Sequence, residues 1–156
     1  MVKLIAGLSG TGKTKKMLDE INEAVEKESG SLVCIELKTS LRFDLNYKVR
    51  LIEYQAYGLE GAESLKAFIS GLHAGNFDIT HVYLKSLHSL LATQDPQEMA
   101  AFCDWCRRFG DDNGINFTMT ARLDPETAPE ALKAYLALKR SAPFPQKRRE
   151  GGRFYV

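Results

Sequence analysis

The stretch Gly7-Leu8-Ser9-Gly10-Thr11-Gly12-Lys13-Thr14 has the spacing G-x-x-x-x-G-K-[ST], and the chemistry of that spacing is the grip of a phosphate chain. Gly7, Gly10 and Gly12 permit a tight turn whose backbone N–H groups face a common centre, with no Cβ to hold a polyanion away. A helix starting directly after the loop adds the positive end of its dipole. Lys13 brings a point charge to the β- and γ-phosphates, and the hydroxyl of Thr14 stands one residue on, where magnesium bridging those phosphates would be held. The expected binding set is Gly7, Leu8, Ser9, Gly10, Thr11, Gly12, Lys13 and Thr14, with Thr14 on the metal, Lys13 also in a catalytic role and a nucleoside triphosphate as ligand.

Such a loop works only between a buried strand and a helix, and the flanking sequence predicts both. Val2 to Ala6 is an apolar run broken only by Lys3, while Met17, Ile21, Ala24 and Val25 recur at helical spacing up to a stop at Gly30. Leu32–Leu37 reads as a second strand, apolar on both faces, and Val49–Tyr54 as a third, with Leu41–Leu45 as a short extended piece between them. A helix over 62–73, a strand over Ile79–Leu84, a helix opened by Asp95-Pro96 and closed by the turn from Gly110 to Gly114, a strand over Ile115–Ala121 and a helix over Pro129–Leu138 complete the alternation. The predicted fold is α/β, a three-layer α/β/α sandwich with a mostly parallel sheet of about five strands. Residues 1–140 form the expected nucleotide-binding domain, and 141–156 a basic, mobile tail.

Composition narrows the partners. With 21 basic against 20 acidic residues, the chain offers no overall field for nucleic acid or an anionic membrane, which leaves the run Lys147–Arg153 as a weak local basic site. No apolar run approaches the length of a membrane span or of a signal-peptide core, so a cytoplasmic protein without membrane insertion is expected. Cys34, Cys103 and Cys106 are odd in number and lie on apolar segments, so reduced thiols are expected. The C-x-x-C pair Cys103 and Cys106 reads as core filling beside Phe102 and Phe109. His73, His81 and His88 lack the spacing of metal ligands.

Phosphate hydrolysis normally needs a second, acidic element at the end of an apolar strand, and here the strand His81-Val82-Tyr83-Leu84 ends in Lys85, which would repel a cation. Glu36, after Leu32-Val33-Cys34-Ile35, is the alternative: a catalytic acid or base, a holder of a magnesium water, or only a solvated strand end. Glu53, and Asp124 with Arg122, are further strand-end candidates. Arg107 and Arg108 could stabilise transition-state charge or simply offset a helix dipole.

The loop in this setting resembles that of the P-loop nucleoside triphosphatases. Gly10–Met17, Leu32–Glu36, Leu41–Asp44 with Arg50-Leu51-Ile52, and Gly75–Thr80 are in addition similar to a group of short bacterial ATP-binding proteins, some labelled twitching-motility ATPases. The resemblance implies ATP and magnesium as cofactors, and an Asn-Lys-x-Asp guanine-reading sequence is absent. Three activities follow as expectations: ATP hydrolysis, nucleotide-dependent control of a macromolecular partner with little or no hydrolysis, or phosphoryl transfer to a small molecule, with Lys38–Tyr47 supplying an acceptor pocket through Arg42 and Asp44.

Overall fold

The computed structural model describes residues 1–38 and 40–136. Among these, strands β1 (Val2–Gly7), β2 (Ser31–Glu36), β3 (Val49–Glu53), β4 (Ile79–Leu84) and β5 (Asn116–Arg122) form one sheet in the order β1-β5-β4-β2-β3, every pair parallel. Helices α1 (Lys13–Lys27), α2 (Gly61–Gly75), α3 (Leu87–Leu90), α4 (Pro96–Asn113) and α5 (Glu130–Lys133) accompany it. The result is the expected three-layer α/β/α sandwich.

Strand residues alternate between two cores because successive side chains leave a strand on opposite faces. Ile5, Leu32, Cys34 and Tyr83 meet Met17, Ile21 and Ala24 of α1 on one face. Leu4, Val33, Val82 and Leu84 join residues of the other helices, such as Leu65, Ile69, Met99 and Phe102, on the other. A parallel sheet covered on both sides needs apolar residues at nearly every strand position, which is why the strand sequences read as continuous runs rather than alternations.

The order of the strands decides where a ligand can sit. The connection through α1 carries the chain from β1 past β5 and β4 to β2. The chain leaving β5 goes the other way: Leu136 makes a parallel bridge to Leu4, and the Leu4 N–H donates to the Tyr135 carbonyl at 2.7 Å. Connections that diverge from two neighbouring strands leave a crevice at their C-terminal ends, here between β1 and β5.

Several local expectations change. Helix α1 stops at Lys27, where Glu28 turns extended, before Gly30 is reached. Leu41–Leu45 is a turn and not an extended piece, since the N–H groups of Asp44 and Leu45 both donate to the Leu41 carbonyl, at 2.9 and 3.1 Å. Helix α4 begins as predicted, with the Asp95 carboxylate accepting from the Gln97 N–H at 2.9 Å, but continues through Gly110 and ends against Gly114 at φ +70°. Gly110 is a packing glycine, because a Cβ there would stand 2.3 Å from the Ile115 carbonyl oxygen. The predicted last helix shrinks to the single turn of α5, since Tyr135 and Leu136 leave helical geometry to reach β1. A single helical turn at Tyr54–Tyr57 and the short α3 had no periodic signal long enough to read. The expected tail 141–156, and the end of the predicted last helix, lie outside the described residues. Among the described residues no helix is long and apolar enough to cross a membrane.

Candidate functional site

The glycine-rich loop leaves β1 at Gly7 and hands over to α1 at Lys13. Gly10 and Gly12 adopt φ +78° and +82°, the left-handed region that side chains with a Cβ rarely enter, which accounts for two of the glycines in the pattern. Leu8, Ser9, Gly10, Thr11 and Gly12 are exposed. The Leu8 carbonyl is the hub of the loop: it accepts the Thr11 hydroxyl at 2.7 Å and the Lys13 Nζ at 2.9 Å. Lys13 thus lies folded over the loop that it would serve.

Helix α1 opens in an electrostatically unfavourable way. No side chain caps its N-terminus, no acidic residue stands in its first turn, and Lys13, Lys15 and Lys16 all do. Lysines are normally stabilising at the opposite end of a helix, so the first turn concentrates positive charge on donors that lack side-chain acceptors. A cleft of about 230 Å³ lies against it at the β1/β5 crevice, lined among others by Gly7, Thr11, Gly12, Lys13, Lys16 and Asp124.

The ends of β4 and β5 bring two more cations to this edge. Arg122 is paired in register with Gly7, at the root of the loop. Its N–H donates to Nδ1 of His88, 3.1 Å away, which anchors α3 beside the end of β5. Lys85 follows β4, two strands from β1 and so roughly 10 Å across at the usual strand spacing. It is succeeded by Ser86, a residue at φ +60° whose N–H is held at 2.8 Å by the hydroxyl of the buried Thr120. Burial first, then the charges of Arg122 and Lys85, hold the Lys13 ammonium below its ordinary pKa. Burial and then Arg122, Lys13 and Lys85 do the same to His88.

Glu36 is neither a solvated strand end nor an open catalytic carboxylate. It is 2% exposed; Oε1 accepts from the N–H groups of Ser40 and Leu41 at 2.6 and 2.9 Å, and Oε2 from the Ser40 hydroxyl at 2.9 Å. Its job is to fasten the turn after β2 and, at 3.9 Å, to sit near the Lys85 ammonium. Glu53 ends β3, four strand spacings or roughly 19 Å from β1, out of reach of the loop. Asp124 does reach the cleft, with Oδ1 accepting from the Glu126 N–H at 2.9 Å. Magnesium does not fit this donor set well: beside the half-buried Thr14 in the first turn of α1, Lys85 stands where a carboxylate is needed, and Glu36 is already engaged. Among the described residues no group of three or more His, Cys, Asp or Glu side chains could hold a metal ion.

The remaining candidates lie elsewhere. Arg107, on α4 at the opposite face of the sheet, bonds the Tyr135 hydroxyl through Nε at 3.3 Å, and it and Arg108 are exposed in the interior of α4, which runs on to Asn113, and not at its end. Cys103 and Cys106 are buried in the core with Phe102, as expected, and burial pushes the Cys103 thiol up to about 12. His81 is buried between the Glu28 carboxylate, 3.1 Å from Nδ1, and the Thr118 hydroxyl, 2.8 Å from Nε2. His73 packs against the rings of Phe77 and Phe109. Arg42 and Asp44 are exposed on the turn after β2, together with Phe43 and Tyr47, exposed by 93% and 88%. That exposure was not legible in sequence, because apolar residues in a loop are indistinguishable from core residues until the chain is folded. Arg122 was among the strand-end candidates, but its place level with Gly7 and near Lys13 follows only from the strand order. No protein-family model matches the chain, and no curated protein matches it.

Proposed function

We propose that the chain is a P-loop protein that binds a nucleoside triphosphate, ATP on the resemblance of its loop, and uses the bound nucleotide to control a partner rather than to hydrolyse it. One observation carries this reading: an uncapped α1 N-terminus with Lys13, Lys15 and Lys16 in its first turn, opening into a cleft at the topological switch point. A polyanion converts that cost into a gain, because it satisfies the free N–H groups and the lysines together. On arrival of the phosphates Lys13 exchanges the Leu8 carbonyl for phosphate oxygen, a short movement from a position already over the loop.

The absence of an open carboxylate at Lys85 and Glu36 favours binding over fast turnover. Phe43 and Tyr47, on the loop leaving β2 at the same edge, supply aromatic surface of the kind that anchors partners. Hydrolysis is the second reading, and Asp124 is the observation in its favour, being the carboxylate that shares the cleft with Lys13. The test is calorimetric titration of ATP into the wild type and Lys13→Ala, with phosphate release followed on the same samples. Binding weakened by about 10- to 100-fold in the variant, the loss of one charge-assisted contact, and negligible release are expected. Rapid release that Asp124→Asn abolishes would replace the sensor reading by hydrolysis, and no binding to the wild type would remove both.

A further inference from the structure

We infer that the triphosphate in this site is neutralised by protein cations in place of a divalent metal, with Lys85 and Arg122 joining Lys13 around the terminal phosphate, so that the ligand taken is the metal-free nucleotide. The inference rests on the nucleotide reading above and concerns the ionic form in which that nucleotide binds.

Geometry is the first support. Lys85 and Arg122 follow or end the two strands next in line from β1, and both belong to the α1 side of the sheet: they alternate in phase with Tyr83, which packs against α1, and with Thr118, which bonds His81. Arg122 is level with Gly7, the first residue of the loop, and is exposed, so its guanidinium is open to a ligand. Lys85 is held more loosely than its neighbour Glu36 suggests. The 3.9 Å between them is longer than a hydrogen bond, and Glu36 already accepts bonds from the N–H groups of Ser40 and Leu41 and from the Ser40 hydroxyl. The Lys85 ammonium is therefore positioned by a carboxylate without spending its donors on it. Ser86, in its left-handed conformation and pinned by Thr120, fixes the backbone directly after Lys85, and strain of that sort is characteristic of positions that must aim a side chain.

The electrostatics agree with the geometry. His88, bonded to the Arg122 N–H at the end of β5, has its protonated form disfavoured by Arg122, Lys13 and Lys85 after burial. A divalent cation placed beside the γ-phosphate would enter the same field and be repelled, whereas a metal-free triphosphate would be attracted by it. Of the acids nearby, Glu36 is bonded to the turn after β2 through both oxygens, whereas Asp124 accepts the Glu126 N–H through Oδ1 and is, among the described residues, the one carboxylate that sets its charge against this field in the cleft.

The experiment is titration of ATP into the full chain in excess EDTA and, separately, in excess magnesium, with ADP in parallel, for the wild type, Arg122→Gln and Lys85→Gln. Circular dichroism melts establish that each variant is folded, and exposed Arg122 is the safer of the two substitutions. Wild-type affinity for ATP in EDTA equal to or above that in magnesium is expected, with a preference for ATP over ADP that Arg122→Gln reduces by about tenfold. Binding only in magnesium, or EDTA binding that Arg122→Gln leaves unchanged, overturns the inference while nucleotide binding stands. Binding in neither condition overturns the nucleotide reading itself.

Discussion

Lys13 and Glu36 show how far a residue's type is from its role. Lys13 has the position proposed above for a phosphate ligand, and in the structure its half-buried ammonium bonds the Leu8 carbonyl. Glu36 has the position of a catalytic acid and the bonding of a structural one, because three donors from Ser40 and Leu41 converge on its carboxylate. Glu36→Ala strands those donors, one of them on the buried Leu41, and is expected to lower unfolding free energy by about 1–3 kcal/mol in urea titration. An unchanged midpoint would return Glu36 to the list of residues free for chemistry.

At the scale of the element, α1 combines a well-formed core face with a poorly formed start. Met17 and Ile21 are fully buried against the sheet, so Met17→Ala is expected to cost about 2–5 kcal/mol through lost burial and the cavity left behind, read by thermal or urea denaturation. The first turn is the opposite case: Lys16→Glu replaces a cation at the positive helix end by an anion and is expected to stabilise the ligand-free protein by about 0.3–1 kcal/mol. The same variant should bind ATP more weakly, since Lys16 lines the loop cleft. A helix start that gains stability and loses affinity from one substitution is one shaped for an anion; if both quantities fall together, Lys16 acts through packing instead. In α4, Gly110→Ala forces a Cβ against the Ile115 carbonyl and is expected to cost about 1–3 kcal/mol, checked by the same denaturation.

At the scale of the whole molecule, buried titratable groups set a pH window. His81 is held below its ordinary 6.5, by burial against the opposing pull of Glu28 and Glu20, and His88 is also held below it. The native state therefore resists protonating them, and stability present above about pH 6.5 falls as pH drops through that value toward the folded pKa. The thiols behave in the other direction: burial pushes Cys34 and Cys103 from 9.0 up to about 12 and raises Cys106 as well, so stability present below pH 9.0 is lost as pH rises beyond it. Urea midpoints measured against pH should show a plateau between about 6.5 and 9.0, and a midpoint that keeps rising below pH 6 would contradict the histidine placement. The three thiols should also resist alkylation until the fold opens.

What the amino-acid order determined alone was local: the loop from Gly7 to Thr14, the apolar runs that became strands, the Asp95-Pro96 helix start and the buried cysteine pair. Each depends on neighbours within a few residues, through glycine backbone freedom, burial of alternating faces or a capping bond. The tertiary structure decided which charges meet at the loop. Strands buried on both faces are mostly apolar, so their sequences carry little information on who pairs with whom. Only the order β1-β5-β4-β2-β3 brings Arg122 level with Gly7, sets Lys85 two strands away, removes Glu53 to the far edge and turns Glu36 inward to hold a turn.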